Sequence, residues 1–352
     1  LTAAPHFQPP DLPLSFREEL APHVYAAIKG GWSVALVGVA GGGLSNALRF
    51  MAQPRVAAHY LGEDAATTLP VFVEADQWRE PAAIWRELVR AVLAEAHDQQ
   101  WPRAEQAALR SVAEAALTTA WPASATPLKE VLDFACTERG RRIVFLCDEF
   151  DGALTRLPAA LLRELRALRD DHKYQLSYVL ALRHEPGQLA AARPPEEAGP
   201  DPGKFAELFE QHTFPVRPYS PADARVAVAR KTLDWVPPID PEEAETLYRV
   251  SGGHARLLTT SLIYLSTRRK LAWAAIEPGL IADPAILAPC NAIWNDLDAA
   301  EQRTAWLLAR EARSAMDDAD LTRLRLRGLV VGGPPFLFSS LFEAFVNKLP
   351  EP

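Results

Sequence analysis

Trp32-Ser33-Val34-Ala35-Leu36-Val37-Gly38-Val39-Ala40-Gly41-Gly42-Gly43-Leu44-Ser45-Asn46-Ala47-Leu48-Arg49-Phe50 is the run that decides the fold. Val34 to Val37 has the composition of a buried strand, the pattern from Ser45 to Ala52 is helical, and four glycines stand between them. A strand that passes through a glycine-rich loop into a helix N-terminus presents backbone amides to an anion, which is how a phosphate cradle is built. Gly38 and Gly43 occupy the two glycine positions of G-x-x-x-x-G-K-[ST], and Ser45 the position of the magnesium-binding hydroxyl. Leu44 stands where that pattern has lysine. The sequence predicts a phosphate loop without its point charge.

Downstream, Arg141-Arg142-Ile143-Val144-Phe145-Leu146-Cys147-Asp148-Glu149-Phe150-Asp151 is an apolar strand ending in paired acids. Carboxylates at the carboxyl end of a buried strand lie where open α/β sheets bind ligands. In a nucleotide-hydrolysing site Asp148 would hold magnesium with Ser45, and Glu149 would polarise the attacking water. Acids also terminate strands and cap the next helix; the glycine loop upstream favours the functional reading. A further strand, Tyr174 to Leu182, ends at Arg183, whose guanidinium suits bidentate contact with a γ-phosphate and equally a surface ion pair. Ser251-Gly252-Gly253 splits two helical patterns and puts Arg256 in a first helical turn, as a phosphate sensor or as a solvated helix-start arginine.

The rest of the chain alternates in the manner of a parallel α/β sheet. Leu1 to Pro13 is proline-rich without periodicity and is expected to be a tail. Leu14 to Lys29 reads as an amphipathic segment closed by Gly30-Gly31, with Arg17 and Glu18 in its first turn. Leu69 to Ala75 reads as a strand, and helices are expected over Pro81–Ala96, Arg103–Thr118, Pro127–Thr137 and Pro158–Asp170. Glu185 to Lys204, rich in Pro, Gly, Ala and Glu, reads as a long mobile loop, and His212 to Val216 as a last short strand. Ser220 caps a helix beginning at Pro221, and the pattern stays helical to Lys270. After a break at Glu277–Pro284 come helical patterns at 285–296, 299–312 and 317–327, then a hairpin over Leu329–Phe338. Three helices and a β-ribbon describe a winged helix whose third helix carries Arg323, Arg325 and Arg327. Basic and acidic residues balance from Glu301 onward, which suits a protein-contacting wing better than binding by counterion release.

Composition narrows the class. With 352 residues, 49% of them apolar, the chain has material for two or three buried cores. A net charge of -8 gives no support to a surface dominated by DNA or anionic lipid. Cys136, Cys147 and Cys290 sit in apolar runs without metal-ligand spacing, as reduced structural thiols do. No apolar run reaches the length of a membrane span and no leader is evident, so a cytoplasmic location is expected.

In this order the pieces resemble the AAA-like P-loop ATPases of the STAND class (signal-transduction ATPases with numerous domains) and, more distantly, the origin-recognition initiator ATPases. The resemblance runs from Leu14 onward. Phe16-Arg17-Glu18-Glu19-Leu20 looks like the family's G-R-E-x-E-L helix, with Ser15 in place of its glycine; Gly38 to Ser45 looks like Walker A and Cys147-Asp148-Glu149 like the end of Walker B. Leu182-Arg183 is similar to the end of the sensor-1 strand, and Gly252-Gly253-His254-Ala255-Arg256-Leu257-Leu258 to a cross between the STAND G-G-x-P-x-L-L and the initiators' sensor-2 G-D-A-R turn. The resemblance implies an α/β fold: a P-loop αβα sandwich with a parallel sheet (residues 14–218), a helical lid (219–283) and a C-terminal winged helix (284–352). It implies ATP or ADP held by Arg17, Gly38, Gly41, Gly42, Gly43, Leu44, Ser45, Asn46 and Arg256, magnesium on Ser45 and Asp148, and catalysis, where present, by Glu149 and Arg183.

Leu44 alters that expectation. Losing a charge-assisted phosphate contact costs roughly 1.5 to 3 kcal/mol in binding, and hydrolysis suffers more because the transition state carries more charge. The leading expectation is a degenerate ATP-binding regulatory or scaffold protein that docks a protein partner through the wing or lid, or a second copy of itself. One alternative is an active ATPase using Asp148 and Glu149 with a substitute cation from Arg49 or Arg256; the other is a DNA-binding regulator acting through Arg323 and Arg327.

Overall fold

The computed structural model describes residues 12–99, 101–118, 125–193, 203–268, 273–312 and 316–352. Apart from Leu12 and Pro13, the expected tail lies outside the described residues, as does 194–202 of the expected mobile loop. The chain forms two compact units. One comprises Glu19–Gly38 and Leu44–Phe214; the other comprises the described residues up to Glu18 together with Val39–Gly43 and Pro215–Pro352.

The first unit is built on five strands: β1 (Val34–Val37), β2 (Thr68–Glu74), β3 (Arg142–Asp148), β4 (Leu176–Leu182) and β5 (Thr213–Pro215), in the order β2-β3-β4-β1-β5. The β2–β3, β3–β4 and β4–β1 pairs are parallel, with Glu74 beside Asp148 and Val37 beside Leu182. Both alternating sets of side chains are buried: Phe145, Tyr178 and Leu180 on one face, Val144, Leu146 and Val179 on the other. Burial on two faces makes these strands read as unbroken apolar runs and requires helices on both sides. Those helices are α1 (Ala21–Lys29), α2 (Leu44–Met51), α3 (Pro54–Leu61), α4 (Pro81–Asp98), α5 (Arg103–Thr118), α6 (Thr126–Leu132), α7 (Asp151–Arg156), α8 (Ala159–Asp171) and α9 (Pro186–Ala191). The three cysteines are free and buried, and burial pushes the Cys136 thiol up to about 12, so it is no nucleophile at neutral pH.

Two expectations are corrected, the first in the segment that leads into α1 and the second in the sheet unit. The segment 14–20 is a turn and the helix begins only at Ala21, because the Phe16 and Glu18 amides close local turns on Pro13 and Ser15 carbonyls. The expected loop at Glu185–Lys204 opens with α9, where proline in the first turn and buried Leu189 and Ala190 make a short helix.

The second unit contains α10 (Pro221–Lys231), α11 (Pro241–Ser251), α12 (Ala255–Ser266), α13 (Trp273–Ala282), α14 (Pro284–Asn295), α15 (Ala299–Ala309), α16 (Asp318–Leu326), the antiparallel ribbon β6 (Val330–Val331) with β7 (Phe336–Leu337), and α17 (Ser340–Val346). Ser220 caps α10 by accepting from the Asp223 amide, as expected. The expected break at 277–284 is mostly the helix α13: Pro278 forfeits one backbone bond, while Ile276 and Leu280 are buried on either side of it. The chain then turns at Asp283, which caps α14 through the Ala285 amide.

Candidate functional site

In the sheet unit the acids at the strand ends meet the start of α2. The Ser45 hydroxyl donates to Asp148 Oδ1 at 3.1 Å, and the Glu149 amide donates to the same oxygen at 3.0 Å. Burial raises the Asp148 pKa above the ordinary carboxylate value, with the Ser45 and Glu149 hydrogen bonds and the Arg49 charge working against it. A carboxylate held away from water beside a hydroxyl is a donor set that a divalent cation fits, since a cation favours the ionised form that burial disfavours. Glu149 follows with φ 51°, in the left-handed region that a side chain seldom adopts, and its carboxylate is exposed. Burial, then the neighbouring Asp148, raises its pKa.

Two arginines border these acids. The Arg183 amide donates to Asp151 Oδ1 at 2.8 Å, which fixes the backbone at the tip of β4, and its side chain is exposed. Arg49, a candidate substitute cation, is ion-paired with Glu74 and stacks over Phe72 at 4.4 Å. The Gly38 amide ends β1 by donating to the Leu182 carbonyl at 3.0 Å; Leu44 opens α2 half-buried, and Asn46 beside it is exposed. Among the described residues no group of three or more His, Cys, Asp or Glu is arranged to hold a metal without a ligand's help.

In the second unit the loop Val39–Gly43 is held by residues remote in sequence. The Gly42 amide donates to the Val39 carbonyl, closing a turn. The Ala40 carbonyl accepts from His254 Nε2 at 3.0 Å, the Gly41 carbonyl from the Arg256 amide at 3.1 Å, and the Gly42 carbonyl from Arg17 Nη2 at 3.4 Å. The Ala40 amide donates to Asp296 Oδ2 at 3.1 Å. Gly41 and Gly43 have φ of 73° and 101°, and a Cβ there would lie 2.9 Å from the Arg256 Cβ and the Arg17 Nη2 respectively, so glycine is required at both.

Arg17, expected in the first turn of a helix, lies in a turn with φ 57° and is 1% exposed. Its amide donates to Asp223 Oδ1, its Nη1 to the Arg217 carbonyl at 2.7 Å, and its guanidinium lies 4.5 Å from the Tyr219 ring centroid. Arg256 contributes its backbone to the loop, and its side chain is exposed.

His254, Asp296 and Tyr219 were not expected in this arrangement. His254 is fully buried at the N-cap of α12, where Nδ1 accepts from the Leu257 amide while Nε2 donates to Ala40. Only the neutral ring can do both, and burial, followed by the Arg256 charge, lowers its pKa to about 4 against the help of the Ala40 carbonyl. Asp296 Oδ2 also receives Arg327 at 2.9 Å, and Arg327 reaches Glu301 at 2.8 Å, so these three charges form a buried triad. Arg323 is ion-paired with Asp320 and lies 3.4 Å from Asp298.

The sequence matches no protein-family model, and no curated protein matches it. Among solved structures the chain is similar to the ADP form of the Aeropyrum pernix ORC2 protein, at 14% identity over 98% of each chain with a TM-score of 0.55. It is also similar to the ADPNP–ADP complexes of that protein, at 13% identity over 97% of this chain and 96% of that one with a TM-score of 0.53. A third similar structure is the Walker-type ATPase PABY2304 of Pyrococcus abyssi, at 14% identity over 94% of this chain and 95% of that one with a TM-score of 0.50. The fold is therefore that of the P-loop ATPases, in its origin-recognition-like form. Among the described residues no helix is long and apolar enough to cross a membrane.

Proposed function

We propose that the protein is a regulatory or scaffold member of this ATPase fold that binds ADP or ATP weakly and hydrolyses it slowly or not at all. The observation that carries the reading is Leu44 in the lysine position next to an intact Ser45–Asp148 pair. Similarity to a protein solved with ADP and ADPNP supports nucleotide as the ligand class. Ser45 and Asp148 would hold magnesium, which would supply charge to the β- and γ-phosphates; the loop glycines would supply amides, and Glu149 and Arg183 would stand nearest any residual chemistry. An apolar side chain at position 44 removes a contact of roughly 1.5 to 3 kcal/mol, or tenfold to a hundredfold in affinity, and removes more from the hydrolytic transition state. Arg49 does not replace it as a free cation, since Glu74 already takes its charge.

The wing reading favours a protein partner or a second copy of the chain over DNA. Arg327 is spent on Asp296 and Glu301, and Arg323 on Asp320, which leaves Arg325 as the exposed guanidinium of the three. The test is a titration of labelled ATP and ADP with and without magnesium, together with phosphate release. Micromolar or weaker binding with negligible release is the expected result; tight magnesium-dependent binding with steady turnover would make the protein a working ATPase and overturn the proposal.

A further inference from the structure

The residues around Val39–Gly43 place donors on the carbonyls of the loop. In a trans peptide unit the C=O and N–H point in opposite directions, so a donor on one carbonyl polarises the N–H of the next residue and fixes its direction. Three successive carbonyls of the loop are covered by such donors: Ala40 by His254 Nε2, Gly41 by the Arg256 amide, and Gly42 by the Arg17 guanidinium. The N–H groups on the far side of these three peptide units belong to Gly41, Gly42 and Gly43. Gly42 spends its N–H on the Val39 carbonyl. Among the described residues neither the Gly41 nor the Gly43 N–H donates to a protein acceptor.

We propose that Arg17 is the loop's cation, acting from behind: its buried guanidinium polarises the Gly42–Gly43 peptide so that the Gly43 N–H binds a diphosphate group, in partial replacement of the lysine that Leu44 lacks. This inference rests on the nucleotide-binding reading above. The side chain is built into place for the role. Its second arm is anchored on the Arg217 carbonyl, its plane rests on Tyr219, and Gly43 leaves room for Nη2 where any Cβ would lie 2.9 Å from it. The strained φ of 57° at Arg17 is held by the Asp223 carboxylate on its amide. Arg17 is thus a positioning residue for the phosphate group, with no role in contacting the base.

The experiment compares adenosine, ADP and inorganic pyrophosphate as ligands of the full chain and of its Arg17→Gln and Arg17→Lys variants, by calorimetry. The expected result is that Arg17→Gln loses about tenfold in affinity for ADP and for pyrophosphate while adenosine binding is unchanged, on the order of one charge-assisted contact, and that Arg17→Lys recovers part of the loss. Equal losses for adenosine and ADP would assign Arg17 to the base and overturn the inference, as would unchanged ADP and pyrophosphate affinities. Failure of the unaltered protein to bind any of the three would overturn the nucleotide reading itself, and this inference with it. The Gly43 amide proton gives a readout that needs no ligand: its resonance should move upfield in Arg17→Gln and much less in Arg17→Lys. A variant that unfolds would be seen in the same spectrum, and the Arg17→Lys comparison then decides between the outcomes.

Discussion

Replacing His254 by asparagine should remove an acid-sensitive part of the protein's stability. The buried ring must be neutral, because Nδ1 accepts from the Leu257 amide at the start of α12 and Nε2 donates to Ala40. Its pKa falls from the ordinary 6.5 to about 4. A lowered folded-state value means that the unfolded chain takes up the proton first, so stability is full above pH 6.5 and is lost as pH falls towards 4. At about 1.4 kcal/mol for each tenfold change in proton affinity, the complete loss is roughly 3 kcal/mol, of which about 2 is gone by pH 5. Carboxyls such as Asp148, Glu149 and Asp151, all raised chiefly by burial, act with the opposite sign, because their protonation favours the folded state as pH falls. The difference between the unaltered protein and His254→Asn cancels those contributions, and asparagine keeps a side-chain oxygen to cap the helix without titrating. Urea unfolding of both proteins from pH 7.5 to pH 4.5 measures that difference. It should shrink by about 2 kcal/mol at pH 5; a difference constant across the range would refute the assigned tautomer and the burial argument together.

Leu44→Lys should strengthen ATP binding by about tenfold to a hundredfold, read by the same labelled-nucleotide titration, because it restores a charge-assisted phosphate contact. Asp148→Asn and Ser45→Ala should each abolish any dependence of that binding on magnesium while leaving magnesium-free binding within about twofold, since they remove a cation ligand and no phosphate donor. Arg327→Ala should destabilise the protein by about 3 to 5 kcal/mol in urea unfolding, as it strands two buried carboxylates. Arg323→Ala, at a partly exposed pair, should cost no more than about 1 kcal/mol in the same measurement.

The strands of the sheet were legible because burial on both faces leaves them no polar positions: Ile143 to Cys147 could be read without a periodicity argument. The loop was legible from its glycines, and the Ser45–Asp148 contact from two separate signals, the hydroxyl position of the loop pattern and the acid that ends an apolar strand, although 103 residues separate the two. What escaped is set by single bonds between distant positions that no local pattern encodes. Arg17 looks like a helical residue in its own neighbourhood; its turn is held by Asp223, 206 residues later. Asp296 looks like a helix-end acid, and only the Ala40 amide and Arg327 reveal it as a buried acceptor. His254 carried one weak signal, a side chain able to cap a helix directly after two glycines, and its ring tautomer becomes decidable only when both partners are in place. Pro278 misled because proline is a boundary signal in sequence, whereas buried neighbours outweigh one lost backbone bond.

A lysine that touches the phosphate and a guanidinium that acts through the loop backbone are not equivalent. A lysine ammonium touches the phosphate and strengthens as charge grows on the transferring group, which lowers the barrier as well as the ground state. A guanidinium that acts through the Gly42–Gly43 peptide reaches the ligand only as the dipole of one N–H, fixed in place before any ligand arrives. Such a dipole favours a bound diphosphate and responds little to charge developing farther out at a γ-phosphate. On the role proposed for Arg17, moving the cation behind the loop weakens turnover more than binding. On the proposed function, a chain that keeps the Ser45–Asp148 pair but has Leu44 at the lysine position is expected to hold a nucleotide better than it consumes one.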